Sequence, residues 1–186
     1  MRQAIAGREG GAGETIHYAC RQTSLGPILM AATRVGICFA QFGDDEAQLM
    51  RDLAREFPKA SLVASNAKES PEFDDWIAAL NAHLGNQSPR PDLPLDLRGT
   101  AFQVMVWRFL LGTDDGDVVS YGEVASGIGK PKAVRAAASA CGANKIAVLV
   151  PCHRVLQSDG KIGGYRWGLD RKRALLDDER RRRSLC

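Results

Sequence analysis

The sequence of 186 residues has no long hydrophobic run. Its apolar stretches, such as Ile28 to Ala32 and Ile146 to Val150, are far shorter than the roughly 18 residues that a membrane-spanning helix needs. The amino-terminal residues are rich in glycine and mixed in charge, and they lack the apolar segment of a secretory signal. These absences predict a cytoplasmic protein without a membrane partner and a flexible lead-in over residues 1–14.

Metal-binding and disulfide motifs are also scarce. The five cysteines form no CxxC pair and the sequence contains three histidines, so neither a zinc finger nor a disulfide framework is supported. We therefore expect no metal and no cofactor. Each cysteine is then either a small buried hydrophobe or a reactive nucleophile, and its surroundings must decide between the two.

The composition is that of a globular protein, with 45% hydrophobic and 25% charged residues. Alternating apolar and polar residues over 15–42 predict short antiparallel strands, and helical spacing predicts helices from Asp45 to Pro58 and from Ser70 to Gly85. Three prolines between residues 89 and 94 indicate a linker. We predict an amino-terminal α/β domain over residues 15–92 and a second domain over residues 93–186.

Capping boxes in the second domain predict two helix starts, one at Thr100 with Gln103 and one at Ser120 with Glu123. A third helix is predicted from Pro131 through Cys141, closed by a glycine. Two short helices joined by a glycine-containing turn favour a helix-turn-helix that binds DNA. The alternative is a helix pair that serves only as a packing unit.

Acidic residues are missing from residues 124–158, although the net charge of the whole chain is only +3. The same window holds five cations: Lys130, Lys132, Arg135, Lys145 and Arg154. This predicts a surface for a polyanion, with a local fluctuation of charge as the alternative. The third helix carries small residues around one arginine, which suits a narrow groove read by shape, with little sequence preference.

Cys152 is the candidate nucleophile, because a strand-like apolar run delivers it next to His153 and Arg154. A thiol near its free pKa of about 8.5 needs a proton acceptor and positive potential to react at neutral pH. Neighbouring side chains of an extended segment point to opposite faces, so a bridging water or a turn is required. The alternatives are a buried cysteine beside a surface histidine and a papain-type hydrolase, whose Gly-Cys-Trp signature is missing.

The segment from Pro151 to Val155 resembles the active-site motif of the O6-alkylguanine-DNA alkyltransferases, and further segments stand in that family's order. These are Ala101–Trp107, Ser120–Ala125, Gly129–Arg135 and Gly164–Gly168. The resemblance covers about residues 15–180 and is greatest to the carboxy-terminal repair half of the bacterial adaptive-response proteins. It implies an α+β fold, with a ribonuclease H-like amino-terminal antiparallel sheet with helices and a helical carboxy-terminal domain that contains the helix-turn-helix.

The resemblance also implies a reaction. Cys152 accepts the alkyl group of O6-methylguanine, and of O4-methylthymine, after the base has been flipped from the duplex. The thioether is not readily reversed, so each molecule acts once. His153 acts through a water and is held by Glu179, which is otherwise a solvated helix charge. Tyr121 assists rotation of the nucleotide, or else is only an aromatic residue at a helix start.

The remaining implied residues contact DNA or the base. The DNA-binding set, in which Arg135 enters the base stack, is Arg135, Tyr121, Ala133, Ala136 and Lys132. The substrate-pocket set is Val155, Gly163, Gly164, Tyr165 and Asn144. The implied partner is double-stranded DNA with an alkylated guanine, bound through the minor groove by a monomer at the bacterial nucleoid.

Two other functions fit parts of the same pattern. A non-catalytic damage sensor of this family lacks the acceptor cysteine, and Cys152 argues against it. A helix-turn-helix transcription regulator would bind specific sequences without alkyl transfer. The sequence leaves open whether the chain stands alone or is part of a longer one, and whether Arg166 restricts alkyl groups larger than methyl.

Overall fold

The computed structural model describes residues 9–65, 71–85 and 87–185, and the chain divides into two compact units after Arg98. The first unit combines a four-stranded sheet with two helices, and the second is mainly helical. The predicted α+β class is therefore confirmed. Within the described residues, no helix has the length and apolarity needed to cross a membrane.

The sheet of the first unit has the order β3-β2-β1-β4. Strands β1 (Thr15–Thr23), β2 (Gly26–Ala32) and β3 (Ile37–Phe42) are antiparallel, as the alternating pattern predicts. The fourth strand, β4 (Ser61–Ala64), pairs with β1 in parallel and was not predicted. A strand of four residues carries too little periodicity to be recognised in the sequence.

Two helices accompany this sheet, α1 (Glu46–Glu56) and α2 (Pro71–Leu84). Helix α1 is capped by Asp45, whose side chain accepts a 2.7 Å hydrogen bond from the Gln48 N–H. The predicted cap of α2, Ser70, lies outside the described residues. Apolar residues of α1 and the sheet share one core: Ile16, Leu29, Ala31, Cys38, Phe39, Leu49, Leu53 and Phe57.

The ends of the first unit differ from the predicted boundaries. Residues 93–98 pack with this unit, because the Ile37 N–H donates to Pro94 O at 2.9 Å and the Asp96 N–H donates to Ile37 O at 2.8 Å. Of the prolines that suggested a boundary at residues 92–93, Pro89 and Pro91 therefore precede a paired segment and Pro94 belongs to it. Residues 9–14 are also held, since Gly10 O and Glu14 O both accept backbone hydrogen bonds of 2.8 Å. The rest of the predicted lead-in lies outside the described residues.

The second unit begins with α3 (Ala101–Leu111), β5 (Val119–Ser120), α4 (Tyr121–Gly127) and α5 (Val134–Gly142). A 3-10 turn at Cys152–Arg154, β6 (Val155–Leu156) and α6 (Leu169–Leu185) complete it. Strands β5 and β6 pair in parallel. Both predicted capping boxes are formed, at the starts of α3 and α4.

Two sequence predictions for this unit were wrong in detail. Helix α5 begins at Val134, because Pro131 and Lys132 lie in the turn that precedes it. Residues 146–150 form a compact turn instead of a strand. Val148 has a φ of 70°, and the Leu149 N–H donates to Ala147 O at 2.7 Å. A β-branched residue in the left-handed region is rare, so its sequence gives no signal for this turn.

Close packing joins the helix-turn-helix to α3. The Trp107 indole N–H donates to Ala140 O at 2.8 Å, which ties α3 to α5. Gly127, the last residue of α4, lies against the Phe109 ring, and a Cβ at this glycine would overlap the ring. Gly122, near the start of α4, faces open space by comparison.

We predict that Gly127→Ala lowers the free energy of unfolding by about 1–3 kcal/mol, because the added methyl forces Phe109 out of its packed position. Gly122→Ala is the matched control within α4, and it should leave stability equal or raise it by up to about 1 kcal/mol. Urea unfolding of the three proteins measures both effects. Equal stabilities for the two variants would contradict the packing role of Gly127.

Candidate active site

The Cys152 thiol is fixed by the turn that precedes it. The Asn144 side-chain amide donates to Val150 O at 3.1 Å and contacts Cys152 Sγ at 3.1 Å. Its oxygen accepts a 2.9 Å hydrogen bond from the Ile146 N–H. One buried amide therefore holds both ends of the turn and presents an N–H group to the sulfur.

Burial raises the pKa of the Cys152 thiol from its ordinary value of 9.0 to about 11. The hydrogen bond from Asn144 and the positive charges of Lys172 and Arg166 lower the pKa, but they do not offset burial. The thiol is thus protonated at neutral pH. Thiolate chemistry at this site requires a group that accepts the proton.

His153 and Arg154 follow in the same 3-10 turn, and both contact the buried carboxylate of Glu179. His153 Nε2 lies 2.6 Å from Glu179 Oε1. The Arg154 guanidinium donates to both carboxylate oxygens at 2.9–3.1 Å, and the Gly116 N–H donates to Oε2 at 3.1 Å. The arginine is therefore committed to Glu179 and is not part of an exposed cationic surface.

The position of Glu179 depends on the buried face of α6. That face consists of residues at helical spacing: Lys172, Leu175, Leu176 and Glu179. Glu179 is 1% exposed and Lys172 is 0% exposed, whereas the neighbouring Asp177 and Asp178 form surface ion pairs. Lys172 Nζ donates to Val155 O at 2.6 Å and to Gly164 O at 3.1 Å. Because charged residues lie at both ends of this face, the hydropathy pattern of the sequence does not reveal that the face is buried.

A cleft of about 200 Å³ opens onto Cys152. Its lining residues are Tyr121, Ala138, Cys141, Gly142, Cys152, Gly164, Tyr165 and Arg166. Of the predicted pocket residues, Gly164 and Tyr165 line the cleft and Gly163 lies beside the Tyr121 hydroxyl. Val155 and Asn144 are buried behind it. The small residues of α5 were predicted to face DNA, but Ala138, Cys141 and Gly142 were not predicted to line the substrate pocket.

Helix α5 has two different faces. Ala137, Ala140 and Cys141 are buried, whereas Arg135 and Ala136 are exposed. Lys132 is exposed in the preceding turn, and Ala133 is half-buried there. The structure thus places four of the five predicted DNA-binding residues, Lys132, Ala133, Arg135 and Ala136, near the start of α5, and the fifth, Tyr121, at the start of α4. Among the described residues, no group of three His, Cys, Asp or Glu side chains is arranged to hold a metal ion.

Family models match both units of the chain. Residues 16–97 match the ribonuclease-like domain of 6-O-methylguanine DNA methyltransferase, and residues 101–181 match the DNA binding domain of the same family. The chain belongs to this family. The resemblance drawn from the active-site motif is therefore confirmed.

Individual members of this methyltransferase family are similar over most of the chain. The bifunctional transcriptional activator/DNA repair enzyme Ada of Escherichia coli is 45% identical over 92% of this chain. The match covers 48% of Ada, so the chain spans about half the length of that relative. The methylated-DNA–protein-cysteine methyltransferase of Saccharomyces cerevisiae is 34% identical, covering 90% of this chain and 94% of the yeast protein.

A solved structure shows the same methyltransferase fold. The structure of Mycobacterium tuberculosis OGT in complex with DNA superposes with a TM-score of 0.74 and is 35% identical, covering 89% of this chain and 94% of that chain. Three groups that shape the site were not predicted from the sequence. Lys172 Nζ donates to Val155 O and Gly164 O, and Thr113 and Asp115 both accept hydrogen bonds from the Arg154 guanidinium. No local pattern marks these residues, because their partners lie elsewhere in the sequence.

We predict that the Glu179 carboxylate makes the fold sensitive to acid. Burial by itself would raise its pKa, but hydrogen bonds from His153 and Arg154, with the positive charge of Arg154 and of a protonated His153, outweigh burial and lower the pKa from 4.5 to about 2. This stabilisation is fully present above pH 4.5 and is lost as the pH falls through 2. The shift corresponds to about 3 kcal/mol.

Urea unfolding between pH 6 and pH 2 measures this contribution as the difference in pH dependence between the wild type and Glu179→Gln. The variant is less stable at pH 6, and its free energy of unfolding should fall less between pH 6 and pH 2, because it lacks the Glu179 carboxylate. Parallel curves for the two proteins would show that the carboxylate does not carry the shift.

Proposed function

We propose that this protein repairs DNA by transferring the methyl group of O6-methylguanine, and of O4-methylthymine, to its own Cys152. The observation that carries the proposal is the buried Cys152 thiol at an open cleft, hydrogen-bonded by Asn144 and adjacent to a His153–Glu179 pair. Membership of the methyltransferase family supplies the substrate class. The names of the yeast and Escherichia coli relatives support the same activity.

The transfer is a single displacement at carbon. The Cys152 sulfur forms a bond to the methyl carbon while the bond from that carbon to guanine O6 breaks, and guanine leaves with the bonding electrons. The thiol proton passes to His153 through a water molecule, and the Glu179 carboxylate stabilises the imidazolium. Because the pKa of the thiol is about 11, this acceptor is needed at neutral pH. The thioether product persists, so each molecule reacts once without a cofactor.

The substrate base must leave the duplex before it reaches the cleft. A helix of small residues with one long cation suits entry into the minor groove, and Arg135 fills the space of the flipped nucleotide. Tyr121 lines the cleft at the start of α4 and contacts the nucleotide. Lys132, Ala133 and Ala136 contribute to the same surface, and a monomer is sufficient because all these residues belong to one unit.

Intact-protein mass spectrometry with peptide mapping tests the acceptor. After incubation with a duplex that carries one O6-methylguanine, the wild type should gain one methyl group, on Cys152. Cys152→Ala should gain none and still bind the duplex, while Cys20→Ala, a cysteine of the first unit, should react like the wild type. A methyl group on another thiol would assign the acceptor elsewhere, and binding without any gain of mass would favour a sensor or a transcription regulator.

The role of Arg135 has a separate test. Arg135→Ala should slow repair of duplex DNA by about 10–100-fold, because unstacking costs a few kcal/mol, and should leave the reaction with free O6-methylguanine base almost unchanged. Arg108→Ala removes an exposed cation from α3 and serves as the charge-matched control. Equal losses on duplex and free base would remove Arg135 from base extrusion.

A further inference from the structure

The loop between α3 and β5 contacts Glu179 and Arg154, the residues next to His153. Asp115, in this loop, binds two arginines from different elements. Its Oδ1 lies 2.6 Å from Arg154 NH2, and its Oδ2 accepts a 2.9 Å hydrogen bond from Arg182 Nε. The ion pair with Arg154 is shielded from water, since the arginine is 0% and Asp115 19% exposed. Removing one partner of such a pair costs more than breaking a surface ion pair, because it leaves a buried charge without compensation.

The same loop makes further contacts with the cluster. Thr113 O and Oγ1 accept hydrogen bonds from Arg154 NH1 at 2.6 and 2.9 Å, and the Gly116 N–H donates to Glu179. Arg154 NH2 is shared between Asp115 and Glu179 Oε1, the oxygen that faces His153. Asp115 is therefore linked to His153 through the Arg154 guanidinium and the Glu179 carboxylate.

The charges of this cluster balance only when Asp115 is included. Arg154 and Arg182 carry two positive charges, and Glu179 and Asp115 carry two negative charges. With a neutral His153 the sum is zero, so the imidazole can take up a proton. Without Asp115 the arginines exceed the carboxylates by one charge, and like-charge repulsion disfavours the imidazolium.

We propose that Asp115 is a positioning residue for the relay, whose carboxylate holds Arg154 in place and balances the arginine charge so that His153 can accept the Cys152 proton. This inference rests on the proposed function. It adds a residue outside the motif around Cys152, from a loop with no catalytic signature.

Other charged or titratable groups also surround the relay and contribute to its electrostatics in every variant. Those near the arginine side are Asp114, Asp117 and Arg183, and those near the thiol side are Tyr121, Cys141, Tyr165, Arg166, Arg171 and Lys172. Asp117 offers a matched control. It lies two residues from Asp115, pairs with the exposed Arg183 at 3.0 Å and makes no hydrogen bond to Arg154 or Glu179 among the contacts described.

The experiment follows the His153 ring by NMR in the full chain as a function of pH. For Asp115→Asn we expect the midpoint of the imidazole titration to move down by about one pH unit, because unbalanced arginine charge disfavours the imidazolium. Asp117→Asn should move the midpoint less, because Asp117 acts on Arg154 through charge without a hydrogen bond. A purely structural role of Asp115 would lower the stability of Asp115→Asn without moving the midpoint.

Arg182→Gln provides a variant of opposite sign, should Asp115→Asn not fold. Removal of Arg182 leaves the carboxylates in excess, which favours the imidazolium, so the midpoint of the His153 titration should move up. A wild-type midpoint in both variants, or a shift in Asp117→Asn equal to that in Asp115→Asn, would overturn the proposal.

Methyl transfer from a duplex with O6-methylguanine, followed in the same variants, tests the proposed function separately from the role of Asp115. A tenfold loss for Asp115→Asn at pH 7 that disappears at high pH supports the role of Asp115 in repair. Absence of transfer in the wild type, together with shifted His153 midpoints, would overturn the proposed function but retain the coupling of Asp115 to His153.

Discussion

The buried carboxylate of Glu179 is the interaction on which the second unit depends. Its two oxygens receive hydrogen bonds from Arg154 and from the Gly116 N–H, and one oxygen lies 2.6 Å from His153 Nε2. These partners come from the 3-10 turn and the α3–β5 loop, and Glu179 itself belongs to α6. A carboxylate without them would cost several kcal/mol to bury, so the three segments must assemble together.

Burial also determines the protonation state of the Cys152 thiol. Burial keeps Cys152 protonated, which protects it from unspecific electrophiles in the resting protein. Under the proposed mechanism, reactivity then depends on proton transfer to His153, and this transfer depends on the charges of Glu179, Arg154 and Asp115. The nucleophile, held by Asn144, would then be separate from the charged groups that activate it.

The sequence was informative where structure depends on neighbours in the chain. The capping boxes at Thr100 and Ser120, the alternation in β1 to β3 and the glycine-containing turn all act within a few residues, and each was predicted. The turn at Val148 was missed, because a buried β-branched residue with positive φ is imposed by its surroundings. Arg154 was misread as surface charge for a similar reason, since Thr113 and Asp115 lie about 40 residues away in the chain.

Under the proposed function, helix α5 serves both DNA binding and the reaction at the cleft, and both uses favour small side chains. It carries the exposed Arg135 near the amino end, and Ala138, Cys141 and Gly142 line the cleft toward the carboxyl end. At 1.5 Å per residue, Arg135 and Cys141 are separated by about 9 Å along the axis. Under the proposed mechanism a base displaced at Arg135 travels roughly this distance to the thiol, past side chains that hardly extend beyond the backbone. A larger residue in this part of α5 would obstruct both the approach to DNA and the path of the base.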